Sequence, residues 1–284
     1  MKPAPFHYHR PCSLPEMLGL LKEHGEGGKI LAGGQSLVPA MNFRLARPAH
    51  LFDLNDLAEL DFLQIEDATL QIGALARHAA FHRPAVELPL VRLLSEIAHH
   101  IAHPPIRERG TFCGSLAHAD PASEWCLVAA TLDAEIVVRR VGAERRIPAG
   151  AFFRGPFTTD LGTDELLSEV RLPVHDGRWR GGFYEFARRA GDFALAMALA
   201  AVRIEGGIIR EARLGVGAVA DRPLRLAALE RQMIGARADA AMCAGVGAAA
   251  SAAIEPTEDI HASAEYRKDL IATVVKRALL RACT

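Results

Sequence analysis

Cysteine is scarce in this sequence and nowhere paired. Cys12, Cys113, Cys126, Cys243 and Cys283 lie far apart, with no Cys-x-x-Cys among them. That spacing excludes a disulfide framework and supplies no ligand set for zinc or an iron–sulfur cluster. It fits a reducing compartment, so a cytoplasmic location is expected. Any metal centre that serves electron transfer here has to come from another chain. Histidine is more plentiful, at twelve residues, but HExxH spacing is absent and no cysteine or carboxylate completes a coordination set. No protein-bound metal is expected. An excess of one charge is missing as well: 33 Lys and Arg face 34 Asp and Glu, for a net charge of −1. The basic footprint of a nucleic-acid binder is therefore absent, and aromatic residues at 6% are too few for a base-stacking platform. The longest apolar run, Phe193 to Val202, has ten residues, against the ~20 that cross a bilayer. The N-terminal residues have no apolar stretch of the secretory kind.

What is present is enough apolar material, 50% of the residues, for a sizeable core over 284 positions. Ser13 to His24 reads as a helix, with Ser13 and Glu16 as a capping box, Leu14, Met17, Leu18 and Leu21 on one face, and Gly25 placed to end it. A short strand from Lys29 to Ala32 breaks into Gly33-Gly34-Gln35-Ser36, and His50 to Leu54 reads as another strand. A second block opens near Asp61, with a strand at Thr69 to Gly73 and a helix from Leu88 to Ile101. His103 to Asp120 shows no period and contains Pro104, Pro105, Gly110 and Gly114, so it reads as a long functional loop. Asp120-Pro121 then reads as the start of a helix reaching Leu132, followed by a strand at Ala134 to Arg139. A third block starts near Gly177. Its signals are a strand at Gly182 to Arg188, a hairpin turning at Glu205-Gly206-Gly207, and helices at Leu226 to Ile234, Ala238 to Ala253 and Ala264 to Ala282.

The glycines divide into two kinds. Gly215 to Ala220 and Gly245 to Ala250 both match GxGxxA, but the first lies on the return strand of a hairpin and the second inside a helical pattern. A dinucleotide fingerprint needs a strand before it and a helix opening on it, so both read as structural. Ala32-Gly33-Gly34-Gln35-Ser36 is different, because paired glycines let backbone N–H groups converge on an anion and Ser36 adds a hydroxyl. Thr111, Gly114 and Ser115 offer the same tools in a separate block. Two such loops imply a long phosphate-containing ligand lying between subdomains, held by backbone donors rather than by lysine.

Ala32-Gly33-Gly34-Gln35-Ser36-Leu37-Val38-Pro39 with Arg44-Leu45-Ala46-Arg47-Pro48 resembles the first FAD loop of the medium subunit of molybdenum hydroxylases, the CO dehydrogenase and xanthine dehydrogenase-like flavoproteins. Ile106 through Pro121, Phe186 through Ala194 and Ala264-Glu265-Tyr266-Arg267 resemble further segments of that family, in the same order and over nearly the whole chain. The resemblance implies an α+β fold: a two-subdomain FAD-binding fold of the vanillyl-alcohol-oxidase (PCMH) type followed by a smaller α+β domain. The divisions expected are 1–60, 61–176 and 177–284. It also implies that Ala32, Gly33, Gly34, Gln35, Ser36 and Leu37, with Thr111, Phe112, Cys113, Gly114 and Ser115, hold the FAD diphosphate and adjoining ribityl. Glu124, Leu166 and Phe193 fall at positions that contact the cofactor in relatives, Phe193 beside the isoalloxazine. The chain departs from the pattern at Cys113, Ser115, Pro105 and Glu185, where relatives often have Gly, Asn or Asp, Gln, and Lys.

The family implies an electron-transfer oxidoreductase subunit. Its partners would be a small [2Fe-2S] subunit and a large molybdopterin subunit, and it would pass electrons to NAD or another acceptor such as quinone. FAD does the redox chemistry, so no general acid or base is assigned to this chain. Two other readings stay open on sequence alone: a self-contained FAD-dependent oxidase or reductase of the same fold, and a non-catalytic assembly scaffold.

Overall fold

The computed structural model describes residues 2–84 and 86–284. The N-terminal part is built on a three-stranded parallel sheet of order β1-β3-β2, from β1 (His7–His9), β2 (Gly28–Leu31) and β3 (His50–Asp53). Helix α1 (Leu14–His24) links β1 to β2, and α2 (Leu37–Asn42) lies between β2 and β3. Ser13 caps α1 by accepting from the Glu16 N–H, and the Glu16 carboxylate reaches back to Cys12 N at 2.8 Å, so the box closes one residue earlier than expected. Met17 and Leu21 are its buried face. Gly25 ends the helix in a right-handed conformation and continues into a short 3₁₀ turn, so handedness does not require glycine there. Close approach does, because a Cβ would lie 2.1 Å from the Thr163 carbonyl oxygen. Strand β1 is too short to carry a period and was not legible in the sequence.

The second sheet is antiparallel, in the order β4-β5-β10-β6-β7. Its strands are β4 (Leu63–Glu66), β5 (Thr69–Gly73), β6 (Glu135–Arg140), β7 (Ala143–Pro148) and β10 (Leu166–Pro173), and a small ribbon of β8 (Phe153–Gly155) and β9 (Thr158–Thr159) stands beside them. The helices of this region are α3 (Pro89–His100), α4 (Pro104–Arg107), α5 (Phe112–His118), α6 (Glu124–Thr131) and α7 (Ala149–Phe152), of which α5 and α7 pack against this sheet. Phe81, Phe112 and Trp125 form the aromatic centre of this core, with ring centroids 4.8 to 5.5 Å apart.

Two expectations change here. The segment from 103 to 120 is two short helices rather than a structureless loop, and Pro104 and Pro105 start α4, because proline at the first helical positions gives up no hydrogen bond. Asp120-Pro121 does not open a helix. Asp120 Oδ1 accepts from Ala122 N in a local turn, and α6 begins only at Glu124.

The C-terminal part is an antiparallel sheet of β11 (Trp179–Phe186), β12 (Ala196–Glu205), β13 (Ile208–Gly217) and β14 (Leu224–Arg225), covered by α8 (Ala227–Met233), α9 (Ala240–Ala253) and α10 (Ala264–Cys283). Gly206 and Gly207 turn the central hairpin with φ of +59° and +78°, as the sequence signal required. The alanines of β12 let α10 lie close: a Cβ on Gly182 of the adjacent strand would sit 2.2 Å from the Ala278 carbonyl. The GxGxxA matches are packing features, with Gly215 on β13 against Thr131 and Gly247 on α9 against the Ala272 carbonyl of α10. Among the described residues no helix is long and apolar enough to cross a membrane.

Candidate functional site

The first glycine loop leaves β2 and enters α2. Gly34 turns it with φ +73°, and the Gln35 side chain folds back to donate to Gly33 O at 2.9 Å. Among the described residues, no acceptor within the chain reaches the backbone N–H groups of Gly33, Gly34, Gln35, Ser36 or Leu37. The Ser36 hydroxyl is exposed and makes no capping bond. Five successive donors without acceptors form a concave, positively polarised site for an anion.

The second loop, Arg109 to Thr111, meets the first directly. A Cβ on Gly33 would lie 2.3 Å from Arg109 O and 2.6 Å from Gly110 Cα, so only glycine permits this approach. A polar clasp fixes the two loops together. Arg77 donates to Arg109 O and, at 2.6 Å, to Asn55 Oδ1, while Asn55 Nδ2 donates to Ala32 O at 3.1 Å. Asp53 steadies Asn55 by accepting from its backbone N–H at 2.9 Å, and Tyr8 in turn donates to Asp53. His78 supports the second loop from beneath. Its backbone N–H donates to Gly110 O at 2.9 Å, and Nδ1 accepts from Trp125 Nε1 at 3.0 Å, which fixes the neutral tautomer with its proton on Nε2. Burial, assisted by the charges of Arg77 and Arg107, pulls His78 down to about 4, so the ring stays neutral at physiological pH.

The expected site residues thus fall into groups. Ala32 to Leu37 meets the second loop at Arg109 and Gly110, immediately before Thr111 to Ser115, and not every expected side chain faces that junction. Thr111 is buried and caps α5 by accepting from Gly114 N at 3.0 Å, which leaves its O–H free to donate. Phe112 is wholly buried in the aromatic core. Cys113 is also buried, its Sγ donating toward the Ile72 and Gly73 carbonyls, and burial pushes its thiol well up, away from reactivity. Leu166 is sealed in the core at the start of β10, and its side chain has little surface left for a ligand.

Glu124 starts α6, half-buried, and burial together with the charge of Asp120 pushes its carboxyl up to about 7. Phe193 lies outside β12, on the β11–β12 connection, where it is 75% exposed. Gly191, with φ +84°, seats that connection against Ala102 and His103, and Arg107 donates to the Ile101 and Ala102 carbonyls on the other side of the same turn. Sequence reasoning missed Asn55, Arg77 and His78. Nothing local marks them, because their roles depend on which carbonyls the fold brings within reach.

Similarity to known proteins extends along nearly the whole chain. Residues 4–175 match the model of the FAD binding domain in molybdopterin dehydrogenase, and residues 182–282 match the CO dehydrogenase flavoprotein C-terminal domain. The sequence is 38% identical over 283 residues to caffeine dehydrogenase subunit beta of Pseudomonas sp. (strain CBB1), covering 99% of this chain and 96% of that one. It is 35% identical to the carbon monoxide dehydrogenase medium chain of Hydrogenophaga pseudoflava, covering 98% and 97%. Among solved structures, it superposes with a TM-score of 0.95 on carbon monoxide dehydrogenase from Hydrogenophaga pseudoflava, at 35% identity and with 99% and 98% of the two chains covered. Quinoline 2-oxidoreductase from Pseudomonas putida 86 gives 0.94, also at 35% identity, with 100% and 98% covered.

Proposed function

The chain belongs to the family of FAD-binding medium subunits of molybdenum hydroxylases, and from that premise we propose that it is the electron-transfer flavoprotein of a three-subunit complex. The observation that carries this reading is the run of five free amides from Gly33 to Leu37, pressed against Arg109 and Gly110 by the side-chain-free face of Gly33. Such a cradle suits the diphosphate of FAD, which a nearly neutral chain can hold through oriented backbone dipoles. In this reading the amides of residues 33–37 and the Ser36 hydroxyl bind the diphosphate. The Thr111 and Ser115 hydroxyls bind next to it, Glu124 contacts the cofactor, and Phe193 covers a face of the ring system and keeps water from it. Leu166 contributes backbone or packing support only. FAD supplies the one- and two-electron chemistry that no side chain has. The protein orients the cofactor, screens it, and holds its charged end in a fixed place.

The partners proposed are a small [2Fe-2S] subunit and a large molybdopterin subunit, with NAD or quinone as the acceptor, in the cytoplasm. Relatives named as a medium chain or subunit beta support the multisubunit form, and the unpaired cysteines support clusters held elsewhere. We also propose residues 1–60 and 61–176 as the two FAD-clasping subdomains and 177–284 as the third domain.

The test is purification of the chain with and without its native partners. A yellow chain carrying one FAD is expected, together with iron–sulfur and molybdopterin subunits in fixed ratio from the native host. A colourless chain that cannot be reconstituted with FAD overturns the reading. Turnover of a small organic substrate by the isolated chain overturns the division of labour among subunits.

A further inference from the structure

Strand β11 divides its side chains between two faces. Tyr184 turns toward α10, where Arg277 and Arg281 lie 4.7 and 5.1 Å from its ring centroid. Phe183 and Glu185 turn the other way, toward the last turn of α3. There the His100 ring meets Phe183 edge-on at 5.1 Å, and its Nδ1 lies 3.9 Å from Glu185 Oε2, beyond hydrogen-bond reach. The Glu185 side chain is only 4% exposed, and among the described residues its Oε2 has no hydrogen-bond partner.

A carboxylate buried without a donor is costly, and its escape is to take up a proton. No group facing Glu185 removes that cost. On α3, burial, with the charges of Arg281 and His99, keeps His100 neutral. On α10, Arg277 and Arg281 each donate from Nη1, to the Tyr184 hydroxyl and the Phe183 carbonyl, and neither forms an ion pair with Glu185 among the described residues. On β12 the residue opposite is Met197, which carries no charge. From α6 comes further negative charge, Glu124 with Asp120 before it. Burial and the Glu124 charge push Glu185 up to about 8.

The protonated acid then carries an O–H at the end of β11 from which the Phe193 connection departs, and among the described residues its Oε2 has no hydrogen-bond partner. That connection returns to the same strand end, where Leu195 N donates to Phe186 O at 2.8 Å. A ring system seated under Phe193 and bearing carbonyl oxygens and unprotonated nitrogens supplies the missing acceptor. Resting on the FAD reading above, we propose that Glu185 is a positioning residue of the flavin site. It is a carboxylic acid that donates its O–H to an acceptor atom of the bound flavin ring.

Infrared spectroscopy of the flavin-free chain at pH 7, paired with FAD titrations across pH, tests this. Wild type is expected to show buried carboxylic-acid carbonyl absorption that Glu185→Gln diminishes by one group, Glu124 supplying the remainder. Its FAD affinity should hold steady up to about pH 8 and then fall about tenfold per pH unit, as release of one proton requires. Glu185→Gln keeps a neutral N–H donor, so its affinity should match wild type at pH 7 and stay flat above pH 8. Glu124→Gln removes the repulsive charge and should move the fall to lower pH.

Carboxylic-acid absorption undiminished in Glu185→Gln overturns the proposal, as does a Glu185→Gln affinity profile that still falls like wild type or a Glu124→Gln midpoint that does not move. If the chain takes up no FAD at any pH, the function reading fails and this proposal with it. Normal FAD uptake without that absorption rejects the proposal alone.

Discussion

Replacing Gly33 with alanine should separate the two glycine loops and weaken FAD binding without unfolding the protein. The added Cβ would sit 2.3 Å from Arg109 O, 2.6 Å from Gly110 Cα and 2.8 Å from Arg109 C, all of them backbone atoms. Opening the shortest contact from 2.3 Å to 3.0 Å, below which Cβ contacts are essentially never found, moves the loops apart by at least 0.7 Å. If the second loop moved alone along its 2.9 Å bond from His78 N to Gly110 O, that bond would lengthen to roughly 3.6 Å and cease to be a hydrogen bond. Overpacking and one lost buried bond each cost about 1–3 kcal/mol. The apo chain can relieve part of that by letting the loops part, whereas the FAD-bound chain has to hold them together. We therefore expect about 2 kcal/mol to appear in binding, a Kd weaker by about 30-fold. Quenching of FAD fluorescence during titration reads the affinity, and the thermal midpoint of the apo chain reads the fold. Gly142→Ala is the control, since Gly142 has φ +74° but open space around its Cα. It should lower stability by about 1 kcal/mol and leave affinity alone. A Gly33→Ala chain that binds FAD as wild type does would refute the two-loop site.

Three further outcomes follow from the same contacts. Arg77→Met removes the donor that joins Arg109 O to Asn55, and should weaken FAD by about tenfold with little change in the thermal midpoint; unchanged affinity would show the clasp to be dispensable. His78 is held near 4 in the folded chain against 6.5 ordinarily, so its contribution is complete above pH 6.5 and is lost as pH falls through 4. The amount is about 3 kcal/mol, and His78→Gln, which can still accept from Trp125, should flatten denaturant midpoints between those pH values; an unchanged acid slope would reject it. Arg267 is buried on α10 and donates to the Leu195 and Ala218 carbonyls and to Asp259, so Arg267→Met should cost about 3 kcal/mol of stability through stranded acceptors. Calorimetry showing a midpoint within about 1 °C of wild type would contradict that.

Long or sharply punctuated elements were legible because their signals are local. The Ser13 cap, the Gly206-Gly207 turn and the apolar stripe of α10 each specify their own geometry within a few residues. Strand β1, with three residues, and helices α4 and α5, with four and seven, are too short for periodicity to register, and they went unread. The helix expected from Asp120 began later because Asp120 satisfied a turn N–H instead of a helical one. Phe193, which has the look of a core residue at the start of an apolar run, is exposed because β12 starts three residues after it.

By itself, then, the sequence determined the family, the scatter of its cysteines, and the position of the two glycine loops proposed to hold the ligand. These follow from residue chemistry: paired glycines free the backbone, and scattered thiols cannot assemble a cluster. Tertiary structure alone decided that Gly33 abuts Arg109 and Gly110, that Arg77 and Asn55 lock that contact, and that Glu185 Oε2 is buried with no hydrogen-bond partner among the described residues. Those facts depend on distances between segments remote in sequence, and on water being excluded between them, neither of which is written at any single position.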